Sequence, residues 1–142
     1  MDTATFSSEL KDLPQMLSWV RERLERKGLD PKAIRRIELA VEEALVNVIR
    51  YAYNAHAGKI EISLKADPGL VEIAIRDWGP AFNPLVAPPA VALEASLEER
   101  EVGGLGIYLI RQIMDDVVYR RERETNLLVL IKRLVIPINS TL

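Results

Sequence analysis

Glu43 and Asn47 form the first pair of side chains in this sequence with types and spacing suited to chemistry. They lie four residues apart in a stretch of helical periodicity, so a helix places them on neighbouring turns of one face. A carboxylate there can act as a general base, and an amide oxygen can complete the shell of Mg²⁺, which takes few protein ligands. Taken alone, the pair favours a plainer interpretation, a solvated glutamate beside a surface asparagine.

A glycine-rich segment at 103–106 opens a later helical stretch. Consecutive glycines free backbone amides to face an anion, and the start of a helix adds its dipole. A flexible hinge with a tightly packed helix entry explains the glycines equally well. The segment is not a P-loop, because no Lys-Ser or Lys-Thr follows, and it is not a dinucleotide fingerprint, because position 109 is Leu. Its residues are Gly103, Gly104, Leu105 and Gly106.

A third candidate is Asp77, which ends an alternating strand and is followed by Gly79. The carboxylate can accept a hydrogen bond from an exocyclic amine, while the glycine, which has no side chain, lets a flat ring approach the backbone. An ordinary turn accounts for the same residues, since Asp and Gly both favour turns. His56, the single histidine, lies in a loop and has no partners for a catalytic triad, so we expect a surface role.

The periodicity of apolar residues predicts the elements that position these side chains. Gly28 caps the first helix, and Asp30 with Pro31 starts the second. The order predicts an α/β two-layer sandwich, with helices on one face of a mainly antiparallel mixed sheet. The predicted elements are a strand at 3–8, helices at 14–27, 31–53 and 104–114, a hairpin of strands 59–66 and 71–76, and a closing hairpin of strands 116–121 and 126–134.

Residues 77–102 are the longest segment without a clear period. The segment holds four prolines and then four glutamates, with room for a short helix at 90–100. A loop this long in a compact domain is usually functional or mobile. We interpret the glutamates as part of a solvated lid rather than a metal site.

The composition sets broad limits on the function. We expect one domain over residues 1–142, with a tail at 137–142 that frays. A net charge of −2 gives no case for binding nucleic acid or a membrane surface, and no apolar run is long enough to span a membrane. The chain has no cysteine and no secretory signal pattern at its start, which fits the cytoplasm.

Order and spacing together resemble a known family. Glu43-Ala44-x-x-Asn47, then Asp77-x-Gly79-x-x-Phe82, then a long loop and the glycines at 103–106 resemble the GHKL superfamily, whose ATP-binding fold is the Bergerat type. The resemblance covers roughly residues 5–135. The short length and the run at 103–115 are most similar to the bacterial anti-sigma factor serine/threonine kinases.

The resemblance implies two cofactors, ATP and Mg²⁺, and a role for each site residue. Asn47 corresponds to the Mg²⁺ ligand, and Glu43 to the carboxylate that activates the attacking hydroxyl. Asp77 corresponds to the acid that binds the adenine amine, with Gly79 beneath the ring. The helix start at 103–106 corresponds to the phosphate-binding amides, and residues 83–102 to the ATP lid.

The function implied is an ATP-dependent serine/threonine protein kinase that acts as an anti-sigma regulatory factor. Its implied partners are a STAS-type antagonist protein, which it phosphorylates, a sigma factor, and a second copy in a homodimer. Some kinases of this group place an arginine just before the lid glycines, but here the residue is Val102, and the nearest basic residue is Arg100. Two alternatives therefore stay open: a non-catalytic ATP-binding switch, and an interaction domain that binds no nucleotide.

Overall fold

The computed structural model describes residues 1–53, 58–86 and 106–134. Its five strands are β1 (Asp2–Ser7), β2 (Lys59–Asp67), β3 (Leu70–Asp77), β4 (Asp116–Glu122) and β5 (Thr125–Arg133). They form one sheet in the order β1-β2-β3-β5-β4, and every neighbouring pair is antiparallel. The predicted fold class, helices on one face of a mainly antiparallel sheet, is confirmed.

Three α-helices belong to the described part of the chain. They are α1 (Leu13–Arg26), α2 (Pro31–Asn47) and α3 (Gly106–Ile113), and α2 contacts both of the others. The start of α2 follows its predicted chemistry, because extended Asp30 accepts a hydrogen bond from the Lys32 amide at 3.2 Å. Gly28, with φ of +77°, ends α1 in the left-handed conformation that glycine tolerates best.

The sheet carries its apolar side chains on the face that packs against the helices. The strand register sets Ile62, Ile75 and Leu128 side by side across β2, β3 and β5. Met16 of α1 and Ile37 of α2 are fully buried in the same core. Alternation along each strand thus positions the core, as period-two patterning requires.

A polar row ends this apolar face. At the end of β3 the register aligns Ile60, Asp77, Asn126 and Arg121 across four strands. These residues continue the inward-facing alternation, so three polar side chains point to the side of the sheet that holds the helices. The row brings a candidate site residue, Asp77, next to two residues that the sequence did not single out.

The predicted second helix, 31–53, differs from the structure at its end. The α-helical part stops at Asn47 and continues as a π-helical turn over Val48–Ala52. Apolar spacing could not reveal this change, since one extra residue in a turn leaves the stripe of apolar residues nearly intact. Such turns occur often at functional sites.

Parts of the predicted architecture lie outside the described residues. These are the proposed helix at 90–100, most of the lid at 83–102, the first residues of the helix predicted at 104–114, and the tail at 137–142. The start of the lid is described, and Pro84–Val86 forms a 3₁₀ turn there. In the described ranges, no helix is both long and apolar enough to cross a membrane.

Candidate functional site

Asn47 and Glu43 occupy the last turns of α2. Asn47 is only 6% exposed, whereas Glu43 is partly accessible. The surface interpretation of this asparagine is therefore wrong: its amide lies inside the molecule, where a polar group needs a partner or a ligand. The predicted position of the pair at the margin of the apolar stripe agrees with this arrangement.

Glu43 meets the first residue of α3. A Cβ atom added to Gly106 would lie 2.9 Å from Glu43 Oε2, closer than real Cβ contacts come. The absence of a side chain at Gly106 therefore makes room for this carboxylate. Two parts of the candidate site that are 63 positions apart in the chain come together here.

Asp77 is almost completely buried, with 3% of its surface exposed. Its Oδ1 accepts hydrogen bonds from the Gly79 amide at 2.9 Å and from Asn126 Nδ2 at 2.8 Å. Burial raises the pKa of Asp77, while those two donors and the positive charge of Arg121 oppose the rise. A buried acid with one occupied oxygen is suited to receive a hydrogen bond from a ligand through the other.

Gly79 packs directly against the backbone of the π-helical turn. A Cβ atom at this position would collide with the carbonyl oxygen of Ala52 and would lie 2.9 Å from its carbonyl carbon. Because backbone atoms cannot yield as a flexible side chain can, only glycine fits. The close approach explains this glycine more specifically than turn preference does.

Tyr53 joins the end of the π-helical turn to the sheet. Its hydroxyl donates to the Lys59 carbonyl and accepts from the Trp78 amide, both at 2.6 Å. Burial is the main cause that raises the pKa of Tyr53. Through Tyr53, Trp78 is thereby linked to β2 and to the end of the π-helical turn.

Asn126 is the main site residue that the sequence interpretation missed. It is 4% exposed and donates to Asp77 Oδ1. The signal was a single amide in the apolar run of β5, at a position that alternates inward with Leu128 and Leu130. Arg121 was missed too; its Nη1 donates to the Gly79 carbonyl at 2.9 Å.

The structure thus assembles the candidate residues into two groups. Asp77 and Gly79 lie together at the end of the sheet, and Glu43 lies against Gly106 at the start of α3. The π-helical turn connects the groups, because it follows Asn47 and ends at the Ala52 carbonyl over Gly79. Gly103, Gly104 and Leu105 lie outside the described residues, so their phosphate-binding role stays a prediction.

The residues present fit a nucleotide better than a protein-ligated metal centre. Within the part of the chain that the structure describes, no group of three or more His, Cys, Asp or Glu side chains could hold a metal ion. Mg²⁺ needs no such group when phosphate oxygens and water complete its shell. The buried Asp77 acceptor is the feature here that suits an aromatic amine.

The comparison with known families agrees with this assignment of class. Residues 6–132 match the histidine kinase-like ATPase domain, and the chain belongs to this family of GHKL ATP-binding domains. The resemblance drawn from the three motifs is confirmed. Membership implies that the domain binds ATP.

Two groups of protein kinases are similar in sequence. The chain is 32% identical over 96 residues to the serine-protein kinase RsbW of Oceanobacillus iheyensis, which is 65% of this chain and 61% of that protein. It is 33% identical over 97 residues to the serine/threonine-protein kinase BtrW of Bordetella bronchiseptica, which is 66% of each. The chain therefore spans less than two thirds of the length of the RsbW and BtrW relatives.

Solved structures share the fold at low sequence identity. The SiaB-SiaC complex from Pseudomonas aeruginosa matches with a TM-score of 0.60 and 15% identity, over 92% of this chain and 88% of that chain. The histidine kinase AdeS of Acinetobacter baumannii matches with a TM-score of 0.51 and 19% identity, over 94% and 68%. At these identities the likeness concerns the fold alone.

Proposed function

We propose that this protein is an ATP-dependent serine/threonine protein kinase that regulates transcription as an anti-sigma factor. ATP would bind between the end of the sheet and the start of α3, and Asn47 would ligate Mg²⁺. The proposed substrate is a serine or threonine hydroxyl on a STAS-type antagonist protein. The RsbW and BtrW relatives, named as serine and serine/threonine kinases, support this choice of reaction.

The adenine end of the proposed site rests on Asp77 and Gly79. Asp77 offers a carboxylate oxygen to the exocyclic amine of the base, and burial strengthens that hydrogen bond because water does not compete. The Gly79 backbone, which packs against the Ala52 carbonyl, would lie beneath the ring. This pairing selects a base that carries an amine.

The observation that most strongly supports the proposal is the contact of Glu43 with Gly106, at the end of the site where the phosphates would bind. It sets a carboxylate beside the helix start that the resemblance assigns to phosphate. In the proposed reaction Glu43 takes the proton of the substrate hydroxyl, whose oxygen bonds to the γ-phosphorus as the bond to the β-phosphate oxygen breaks. The products are a phosphoserine or phosphothreonine and ADP.

The proposed partners follow the switching systems of the family. Phosphorylation would release the antagonist and leave this protein free to bind a sigma factor, with a homodimer as the working unit. The reaction would occur in the cytoplasm, where ATP is available. Each partner is open to direct test by co-purification with and without Mg-ATP.

Phosphotransfer in a Glu43→Gln variant tests the assigned base. With a STAS-type antagonist from the same organism, we expect transfer to fall by about 100-fold or more, while ATP affinity stays near wild type. Glu42→Gln is the matched control, since it removes the neighbouring charge of the same helix. Undiminished transfer in Glu43→Gln would refute the assignment of the base.

A non-catalytic ATP-binding switch is the second candidate. Val102 favours it, because this position lacks the arginine that helps neutralise charge at the γ-phosphate in some kinases of the group. Under this alternative the wild type binds Mg-ATP and changes its partner affinity, but the antagonist gains no phosphate. The same transfer assay separates the two, and calorimetry without any Mg-ATP binding would exclude both.

A further inference from the structure

Asn126 makes an unusually complete set of hydrogen bonds for one buried amide. Its Oδ1 accepts from the Phe82 amide at 3.1 Å, from Tyr119 Oη at 2.6 Å and from Arg121 Nη1 at 3.1 Å. Its Nδ2 donates to Asp77 Oδ1 at 2.8 Å and to the Pro80 carbonyl at 2.9 Å. These five contacts come from β3, β4 and the segment that follows Asp77.

The contacts define the orientation of the amide. Phe82 N–H and Arg121 Nη1 can only donate, so the atom that faces them must be the carbonyl oxygen. The amino group then faces Asp77 Oδ1 and the Pro80 carbonyl, both of which accept. Rotating the amide by 180° would set donors against donors and acceptors against acceptors, at the cost of several buried hydrogen bonds.

This orientation determines which oxygen of Asp77 remains for a ligand. Oδ1 is taken by Asn126 Nδ2 and by the Gly79 amide, and within residues 1–53, 58–86 and 106–134 Oδ2 has no hydrogen bond. Asn126 also holds Pro80 and Phe82, the residues that follow Gly79. One side chain therefore fixes both the carboxylate and the backbone beside it.

We propose that Asn126 is a positioning residue that sets the base selectivity of the nucleotide site. It holds Asp77 so that Oδ2 receives the amine of adenine, and it disfavours a purine that presents an oxygen at the same place. The inference rests on the proposed ATP site and deepens it, since it assigns the selectivity to an amide that does not contact the base.

Binding of ATP and inosine triphosphate (ITP) by calorimetry tests this role. ITP carries a carbonyl oxygen in place of the 6-amine. We expect the wild type to prefer ATP by at least about tenfold, and Asn126→Ala to lose most of this preference while it still binds both nucleotides weakly. Asp77→Asn is the control, because it removes the charge that Asn126 positions and should abolish the preference as well.

Asn126→Asp supplies a readout that a general loss of structure would not produce. An aspartate keeps the acceptor for Phe82, Tyr119 and Arg121, but at high pH it places a second carboxylate beside Asp77. At lower pH the two share a proton, and a protonated Asp at position 126 can donate to Asp77 Oδ1 as the amide does. ATP affinity of this variant should rise by about tenfold from pH 8.5 to pH 6, whereas wild-type affinity should not rise.

The ionisable groups around the pair allow this comparison. Asp77 and Asn126 face Arg121 and Tyr119 of β4, and the charge of Asp77 helps to raise the pKa of Tyr53. The pKa of Tyr53 is raised above its usual value near 10, so its hydroxyl stays neutral in this range. A change specific to Asn126→Asp therefore reports on the carboxylate pair.

The inference would be overturned if both Asn126 variants kept the wild-type preference for ATP over ITP and the wild-type pH dependence of ATP affinity. The proposed ATP site would then still stand. Failure of the wild type to bind Mg-ATP would instead overturn the proposed function. Far-ultraviolet circular dichroism identifies any unfolded variant. If Asn126→Ala is unfolded, the pH profile of Asn126→Asp decides alone, and a flat profile in the folded protein rejects the inference.

Discussion

Asp77 combines burial with a charge that the proposed function requires. The folded structure raises its pKa, chiefly through desolvation, so the ionised form costs free energy relative to the unfolded chain. The contribution of this group to stability is fully present below its unfolded pKa of about 4 and is lost as pH rises through the folded pKa. Ionised Asp77 therefore lowers the free energy of unfolding at neutral pH, but it provides the charged acceptor that the proposed site needs.

Asp77→Asn should separate stability from binding. We expect its free energy of unfolding at pH 7 to equal or exceed that of the wild type, because the asparagine is neutral and its Oδ1 can still accept from Gly79 and Asn126. Urea titrations at pH 7 and pH 4 measure the difference, which should shrink at the lower pH. ATP affinity should fall by tenfold or more; a less stable variant at pH 7 would contradict the argument.

Gly106 should matter for the chemistry more than for the fold. Alanine favours helix, so Gly106→Ala at the first residue of α3 should change the free energy of unfolding by less than about 1 kcal/mol. Its methyl group would displace the Glu43 carboxylate, whose end is flexible enough to move. We expect proposed phosphotransfer to drop by about tenfold with ATP affinity nearly unchanged.

The double variant Gly106→Ala with Glu43→Gln provides the control. If the glycine acts through the glutamate, the second substitution should add little to the loss caused by Glu43→Gln. Independent, additive losses would show that Gly106 acts by another route, such as direct contact with phosphate.

At the scale of elements, the π-helical turn links the helix that carries Asn47 to the end of β3. Its last carbonyl, from Ala52, packs against Gly79. Tyr53, the next residue, hydrogen-bonds to the Lys59 carbonyl and the Trp78 amide. Tyr51 of the turn stacks on Phe82, with ring centroids 5.8 Å apart. The turn thus fixes the distance between the two halves of the proposed site.

Gly79→Ala should disrupt this junction. The added methyl group would collide with the backbone carbonyl of Ala52, so we expect a loss of about 1–3 kcal/mol of unfolding free energy, together with loss of ATP binding. Gly28→Ala is the matched control: it also strains the backbone, with φ of +77°, but nothing lies within 4 Å of the new Cβ. Thermal unfolding and calorimetry on both variants separate strain from loss of the site, since Gly28→Ala should keep ATP affinity.

At the scale of the whole molecule, nucleotide binding should stabilise the fold. A ligand that binds only the folded state at 100 times its Kd adds about 2.7 kcal/mol, which for a chain of this size corresponds to a rise in Tm of roughly 5–10 °C. Differential scanning calorimetry with Mg-ATP, and with Asp77→Asn as control, measures the effect. An equal rise in the control would show that the nucleotide binds elsewhere.

Sequence patterns were enough for the strands and α-helices in the described part of this chain, though not for the π-helical turn. Alternation along the strands and the stripe of apolar residues on α2 depend on local periodicity, which a sequence displays directly. Glu43, Asn47, Asp77 and Gly79 were found because their order and spacing match a family that the comparison confirmed. Their individual roles in binding and catalysis remain predictions.

Tertiary structure alone decided how these residues meet. Two close contacts arise from packing between elements far apart in sequence, which no local period encodes: Glu43 against Gly106, and the Ala52 carbonyl against Gly79. Asn126 is the clearest case: as one amide in an apolar strand it gave only a faint signal. Antiparallel register placed it opposite Asp77, and register is set by the whole sheet.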